Sequence, residues 1–149
     1  MANTYTNLHY HIIFSTKNRA PLIHADIEQR VWEYLGGIAR ANGMCALRVG
    51  GVEDHVHVVT SIPATLAVSK AVQLLKGGSS GWIAETLAVH GFAWQDGYGA
   101  FTVSRSHLAE VVEYAATQRE HHRARTFQEE YRAFLTRHGI ECDERYVWG

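Results

Sequence analysis

Two histidines separated by a single valine are the side chains best suited to chemistry in this chain. His55-Val56-His57 lies within the β-branched stretch of residues 51–60. Side chains of a strand alternate between its two faces, so both imidazoles point to one side and the valine points to the other. Neutral imidazoles are common ligands of divalent metals. The motif therefore predicts half of a metal site on one face of a sheet.

A tyrosine and a glutamine further along the chain supply the missing half. Of the seven tyrosines, only Tyr114 has a glutamine, Gln118, four residues later. Residues at this spacing share one face of a helix. Two histidines and the Gln118 oxygen make a mixed nitrogen and oxygen site with open positions, which suits Mg²⁺ or Mn²⁺ holding phosphate oxygens. Tyr114 lies close enough along the helix to attack the phosphorus.

This combination would overcome the weakness of a tyrosine as a nucleophile. A phenol has a pKa of about 10 and reacts poorly near neutral pH. A metal ion can orient the phosphate and stabilise the charge that develops on it. Attack would form a phosphotyrosine and release a hydroxyl from the cut strand. Because the bond energy is conserved in that link, the step can be reversed onto another strand end.

Alternating strands and helices are predicted to hold these residues in place. Residue patterns predict strands at about 5–15, 45–49, 52–62 and 92–104, with Gly50-Gly51 as the turn of a hairpin that carries the histidines. Helices are predicted at about 27–38 and 63–87. This β-α-β-β-α-β order indicates an α+β, ferredoxin-like core with an antiparallel sheet. Ser106 is predicted to cap a third helix that carries Tyr114 to about His122, and a fourth helix spans about Phe127 to Arg137.

Length and composition limit the function classes. The 149 residues predict a single domain, 1–149, and the net charge of −1 argues weakly against a nucleic-acid partner overall while leaving local basic patches open. The two cysteines form neither a disulfide framework nor a CxxC metal site. No apolar run is long enough to cross a membrane and no leader opens the chain, so we expect a cytoplasmic protein without a membrane partner.

The chain resembles the single-tyrosine HUH transposases of the 200/605 family of bacterial insertion sequences. The likeness rests on the His55-Val56-His57 motif followed by the run from Tyr114 to Gln118, and extends over nearly the whole chain. Its other parts are residues 10–19, 75–80 and 121–122, and the tail from 127–131 to 146–148.

The resemblance implies a homodimer that recognises hairpins in single-stranded DNA. It implies that His55, His57 and Gln118 are the metal ligands, and that Tyr114 forms a 5′-phosphotyrosine, in its own site or in that of the partner subunit. Lys17, Arg19 and Lys76 become candidate DNA contacts.

Two other functions stay open at this point. A histidine-triad nucleotide hydrolase also carries His55-Val56-His57-Val58, but Val59 stands where its nucleophilic histidine would be, which argues against it. A non-enzymatic module could stack single-stranded bases on sheet aromatics such as Tyr10 and Phe14.

Overall fold

A four-stranded antiparallel sheet with helices on both faces forms the protein. The computed structural model describes residues 3–121, 125–143, 145, 147 and 148. The strands are β1 His9–Ser15, β2 Cys45–Val52, β3 His55–Ser61 and β4 Gly99–Thr102. The helices are α1 Glu28–Ala41, α2 Val68–Glu85, α3 Leu108–Ala116, α4 Gln118–His121 and α5 Phe127–Arg137, and short 3₁₀ turns lie at Lys17–Arg19 and Arg105–His107.

The strand order confirms the predicted ferredoxin-like core. The strands lie in the order β2-β3-β1-β4, so β1 pairs with β3 and β4 while β2 pairs only with β3. Helices α1 and α2 make the two crossovers. The His55-bearing strand is therefore central, with a neighbour on each side.

The first face of the sheet is apolar and carries the larger core. Ile12 and Phe14 of β1 and Val56 and Val58 of β3 point to this face and are fully buried beneath α1 and α2. Each such side chain contributes about 1.5–3 kcal/mol through removal from water. This face holds the sheet together.

The second face carries the histidines and a smaller core. Ile13 of β1 and Phe101 of β4 pack here against α5. That helix begins with a capping box, in which the Thr126 hydroxyl accepts from the Glu129 backbone and the Glu129 carboxylate accepts from the Thr126 backbone. Its bounds agree with the predicted fourth helix.

The predicted turn at Gly50-Gly51 is wrong. Both glycines lie inside β2, and the hairpin turns at Glu53 and Asp54. Gly50 is needed for packing instead, because a Cβ there would lie 2.2 Å from the Ala115 carbonyl oxygen. The missing side chain lets α3 rest directly on the sheet.

The predicted third helix is broken into three pieces. Ser106 does not cap it, since it lies within the Arg105–His107 turn before α3. Thr117 then departs from helical geometry, with φ −110° and ψ 32°, and its hydroxyl donates to the Glu113 carbonyl. Such bonding from a threonine to the preceding turn competes with the helix. The predicted end at His122 lies outside the described residues.

Three other boundaries also differ from the predictions. The first strand begins at His9 rather than near Tyr5, which is 90% exposed, and the second helix begins at Val68 rather than at Pro63. The fourth strand is limited to Gly99–Thr102, preceded by an isolated bridge between Thr16 and Trp94.

Within the described part of the chain, every helix is too short or too polar to span a bilayer.

Candidate metal centre and nucleophile

His55 and His57 are fully buried on the second face, and each is held through its Nδ1 atom. His55 Nδ1 lies 2.7 Å from Asp54 Oδ1, and His57 Nδ1 lies 2.7 Å from His11 Nε2. A carboxylate only accepts hydrogen bonds, so His55 donates from Nδ1. His57 Nε2 lies 2.9 Å from the Glu130 carboxylate and donates to it, so His57 Nδ1 accepts from His11 Nε2. A metal bound by both Nε2 atoms would instead place the His57 proton on Nδ1, with His11 as its acceptor. Polar partners at Nδ1 are typical of metal-binding histidines.

Gln118 lies beside His55, as the predicted site requires. Its Oε1 is 3.3 Å from His55 Nε2, and its Nε2 donates to the Tyr114 carbonyl at 2.9 Å, which fixes the orientation of the amide. The adjacent Arg119 donates to Glu53 and Glu28, both at 2.7 Å. These two ion pairs connect α4 to the hairpin and to α1.

Glu130 of α5 is a site residue that the sequence patterns did not predict. Its side chain is fully buried, and its Oε1 lies 2.9 Å from His57 Nε2 and 3.5 Å from His55 Nε2. One signal was present in the sequence. Glu130 occupies the apolar stripe of α5, three residues after Phe127 and four before Phe134. A charged residue in such a stripe needs a partner when it is buried.

The donor set fits a divalent metal ion. Candidate ligand atoms of His55, His57 and Glu130 lie within 4.8 Å of one another, and Gln118 adds an amide oxygen. His55 Nε2 faces the oxygens of Gln118 and Glu130 at 3.3 and 3.5 Å, an arrangement of donor atoms that a bound cation would satisfy. Mixed nitrogen and oxygen donors are compatible with Mg²⁺ and Mn²⁺.

Tyr114 joins the same cluster. Its hydroxyl donates a hydrogen bond to Glu130 Oε2, and its ring centroid lies 5.7 Å from that of His57. The ring also stacks on His121 at 4.4 Å. Burial raises the pKa of Tyr114 above its ordinary value, and the Glu130 carboxylate raises that pKa further. The phenol is therefore held in its protonated form beside the histidine pair.

The three candidate DNA contacts lie in different settings. Lys17 is exposed on the turn after β1, while Arg19 is half-buried with its guanidinium 5.7 Å from the Trp148 ring. Lys76 is also half-buried. Its ammonium donates to the carbonyls of Gln95, Asp96 and Gly97 at 2.8, 3.2 and 2.6 Å. Lys76 thus clamps a loop in this structure.

Comparison with known sequences identifies a matching family and similar proteins. The family model described as "Transposase IS200 like" matches residues 4–118, most of the chain. The transposase for insertion sequence element IS200 of Salmonella typhimurium LT2 is 28% identical over 126 residues, covering 80% of this chain and 82% of the relative. The ISDra2 transposase TnpA of Deinococcus radiodurans is 27% identical over 119 residues, covering 76% and 85%.

Solved structures share the fold. The crystal structure of a Deinococcus radiodurans R1 protein assigned as a transposase superposes with a TM-score of 0.62 at 23% identity, covering 76% of this chain and 93% of the other. A REP-associated tyrosine transposase bound to a REP hairpin gives a TM-score of 0.54 at 12% identity, covering 77% and 70%. From the family match over residues 4–118, we conclude that this chain belongs to the IS200-like transposase family.

Proposed function

We propose that this protein, a single domain of residues 1–149, is a metal-dependent tyrosine transposase that works in the cytoplasm. It cuts and rejoins single-stranded DNA at hairpin-containing ends through a 5′-phosphotyrosine at Tyr114. The observation that carries the proposal is the buried cluster in which the Tyr114 hydroxyl meets the His55–His57 pair through Glu130. The family match supports DNA strand transfer over a histidine-triad nucleotide hydrolase and over a non-enzymatic binding module. Val59, at the position of the histidine-triad nucleophile, also argues against the hydrolase.

Each residue of the cluster has a defined part in this reaction. His55, His57 and Gln118 would hold the metal, and Glu130 Oε1 would be available as a further oxygen ligand. When bound, a divalent metal neutralises charge on the scissile phosphate and orients it. Asp54 accepts from His55 Nδ1, and His11 would accept from His57 Nδ1 once both Nε2 atoms bind the metal. The α3 backbone, seated on Gly50, would bring the Tyr114 oxygen to the scissile phosphate.

Hairpin DNA is the proposed substrate because a structural neighbour was solved with a REP hairpin bound. We propose Lys17 and Arg19 as phosphate contacts, since both lie on one turn next to the sheet and Lys17 is exposed. Phosphate contacts position a nucleic acid without reading its sequence. Lys76 stays a candidate as well. Contact with DNA would require its ammonium to exchange loop carbonyls for phosphate oxygens.

The protein is proposed to act as a homodimer, and the placement of Tyr114 can be tested by mixing variants. Tyr114 and the histidine pair of one chain are in contact through Glu130. Action in the partner's site, which the resemblance allows, predicts that a mixture of His57→Ala and Tyr114→Phe chains regains covalent adduct on the His57→Ala chain. Action within one chain predicts no adduct from the mixture.

A covalent trapping assay tests the proposed function. The probe is a library of 3′-labelled single-stranded oligonucleotides, each with one hairpin and randomised flanks, incubated with Mg²⁺ or Mn²⁺. The wild type is expected to form a denaturant-resistant adduct with the labelled strand. EDTA and Tyr114→Phe should each abolish it. Adduct that persists with Tyr114→Phe would contradict the proposal, and equal DNA binding in EDTA without any adduct would indicate a binding module.

A further inference from the structure

Glu130 connects the nucleophile to the histidine pair through its two carboxylate oxygens. Oε1 faces His57 Nε2 at 2.9 Å, whereas Oε2 accepts the hydrogen bond from the Tyr114 hydroxyl. The carboxylate is fully buried, so it does not exchange these partners freely with water. It also lies beyond Gln118, where the family match ends. The role of Glu130 in the reaction therefore does not follow from the motifs that the family model matches.

The other polar groups around the phenol are poorly placed to take its proton. His57 Nε2 is engaged with Glu130 Oε1 at 2.9 Å, His55 Nε2 faces Gln118 Oε1 at 3.3 Å, and the Gln118 amide has no basic site. His121 stacks against the face of the Tyr114 ring, and its Nε2 lies 3.1 Å from the Thr117 hydroxyl. Glu130 Oε2 already holds the hydroxyl through its proton.

We propose that Glu130 is a catalytic residue, the general base that receives the phenol proton of Tyr114 during attack. The inference rests on the proposed function. The Tyr114 oxygen forms the new P–O bond as its proton moves to Glu130 Oε2. The P–O3′ bond breaks, and the leaving 3′ oxygen takes a proton from solvent. Glu130 later releases its proton to solvent, so atoms and charge balance over the step.

Two substitutions separate proton transfer from positioning. Glu130→Gln keeps the shape of the side chain and an oxygen that can accept the hydrogen bond from the phenol. Its amide oxygen is too weak a base to take the phenol proton. Glu130→Ala removes both functions. General bases contribute about 10²–10⁴-fold to rate. We expect both variants to form adduct about 100-fold or more slowly than the wild type at saturating Mn²⁺. Glu113→Gln, an exposed change on α3, should leave the rate unchanged.

Metal binding and pH dependence are measured on the same variants. Mn²⁺ titration by calorimetry should show that Glu130→Gln still binds the ion, although less tightly, which also reports that the site is folded. Its adduct rate should rise about tenfold per pH unit, because hydroxide replaces the missing base while the phenol stays mostly protonated. The titratable groups found around Glu130 in the described part of the chain are unchanged in this variant: His11 from β1, His55 and His57 from β3, and Tyr114 from α3.

Several outcomes would overturn the inference. Wild-type rates from Glu130→Gln, with loss only in Glu130→Ala, would show that the carboxylate merely positions the phenol. Full recovery of Glu130→Gln at high Mn²⁺ would show that it is only a ligand. In both cases the wild type still forms adduct, so the proposed function stands. Failure of the wild type itself to form adduct would overturn the proposed function and this inference together.

Discussion

The two faces of the sheet bury different chemistry, although the same strands build both. Strand β3 sends Val56 and Val58 to one face and His55 and His57 to the other, and all four side chains are fully buried. The valines need only apolar neighbours from α1 and α2. The imidazoles are buried because each nitrogen has a polar partner from β1, the hairpin turn, α4 or α5.

The difference indicates that stability and chemistry are largely separate in this fold. The apolar face has packing that does not depend on the site. The histidine face depends on α3, α4 and α5, which must pack on the sheet so that their polar residues contact the histidines. Substitutions on the first face should therefore unfold the protein, whereas those on the second should disable a folded protein.

The largest effect is expected from Phe14→Ala on the apolar face. The ring packs edge-on against Trp94 with centroids 4.8 Å apart and is fully buried. Its loss should cost about 3–5 kcal/mol of unfolding free energy, measured by urea denaturation. Mn²⁺ affinity of the folded variant should match the wild type. A cost below about 1 kcal/mol would contradict the role of this face.

Gly50→Ala should disable the site through α3. The new Cβ would lie 2.2 Å from the Ala115 carbonyl oxygen, so α3 must move and carry Tyr114 with it. A displacement of about 1 Å can cost 10²-fold in rate, and we expect a loss of that size in adduct formation. Gly77→Ala on α2 is the matched control, because a Cβ there meets nothing within 4 Å. Equal adduct rates for both variants would show that α3 does not depend on this close approach.

Asp54→Ala should weaken metal binding without changing the ligands. Asp54 accepts from Nδ1 of His55 at 2.7 Å and fixes the tautomer that exposes Nε2. Loss of such a support lowers metal affinity roughly 10- to 100-fold. Calorimetric Mn²⁺ titration measures the change, with the exposed Asp26→Ala as control. Unchanged affinity in Asp54→Ala would mean that Asp54 does not orient the imidazole.

The smallest effect concerns stability at high pH. Burial raises the pKa of Tyr131, on the histidine face, to about 12. An unfolded tyrosine loses its proton near pH 10, so the stability that this group contributes is complete below about pH 10 and is lost as pH rises towards 12. Melting temperatures of Tyr131→Phe should therefore fall less steeply than those of the wild type over this window. Melting temperatures that fall equally with pH in both proteins would exclude this contribution of Tyr131 to stability.

The periodicity of the sequence was sufficient to predict that the two histidines share one face of the sheet and that apolar residues form a core on the other face. Strand alternation places His55 and His57 on one face, and the order of elements predicts the strand topology that the sheet has. The i, i+4 spacing of Tyr114 and Gln118 predicted that both share one helix face, and in the structure both lie near the pair even though the helix breaks at Thr117. At the break the Thr117 hydroxyl bonds to the Glu113 carbonyl, a local contact that residue patterns do not report.

Other features depend on tertiary packing and were missed for that reason. Gly50 looks like a turn residue by type, but its role is a close approach between α3 and β2 that only the assembled fold creates. Glu130 could be recognised as an acidic residue in an apolar stripe. Its partners, His57 and Tyr114, are distant in sequence and become neighbours only when α5 packs on the sheet.

The most direct test of the central claim is to locate the covalent bond by mass spectrometry. Adduct formed with hairpin DNA and Mn²⁺ is digested with nuclease and trypsin. The tryptic peptide of residues 106–119 contains Tyr114 as its single tyrosine. We predict that this peptide carries a nucleotide joined through its 5′ phosphate, with fragment ions that place it on Tyr114. A nucleotide on another residue, or an unmodified peptide from trapped protein, would contradict the assignment of Tyr114 as the nucleophile.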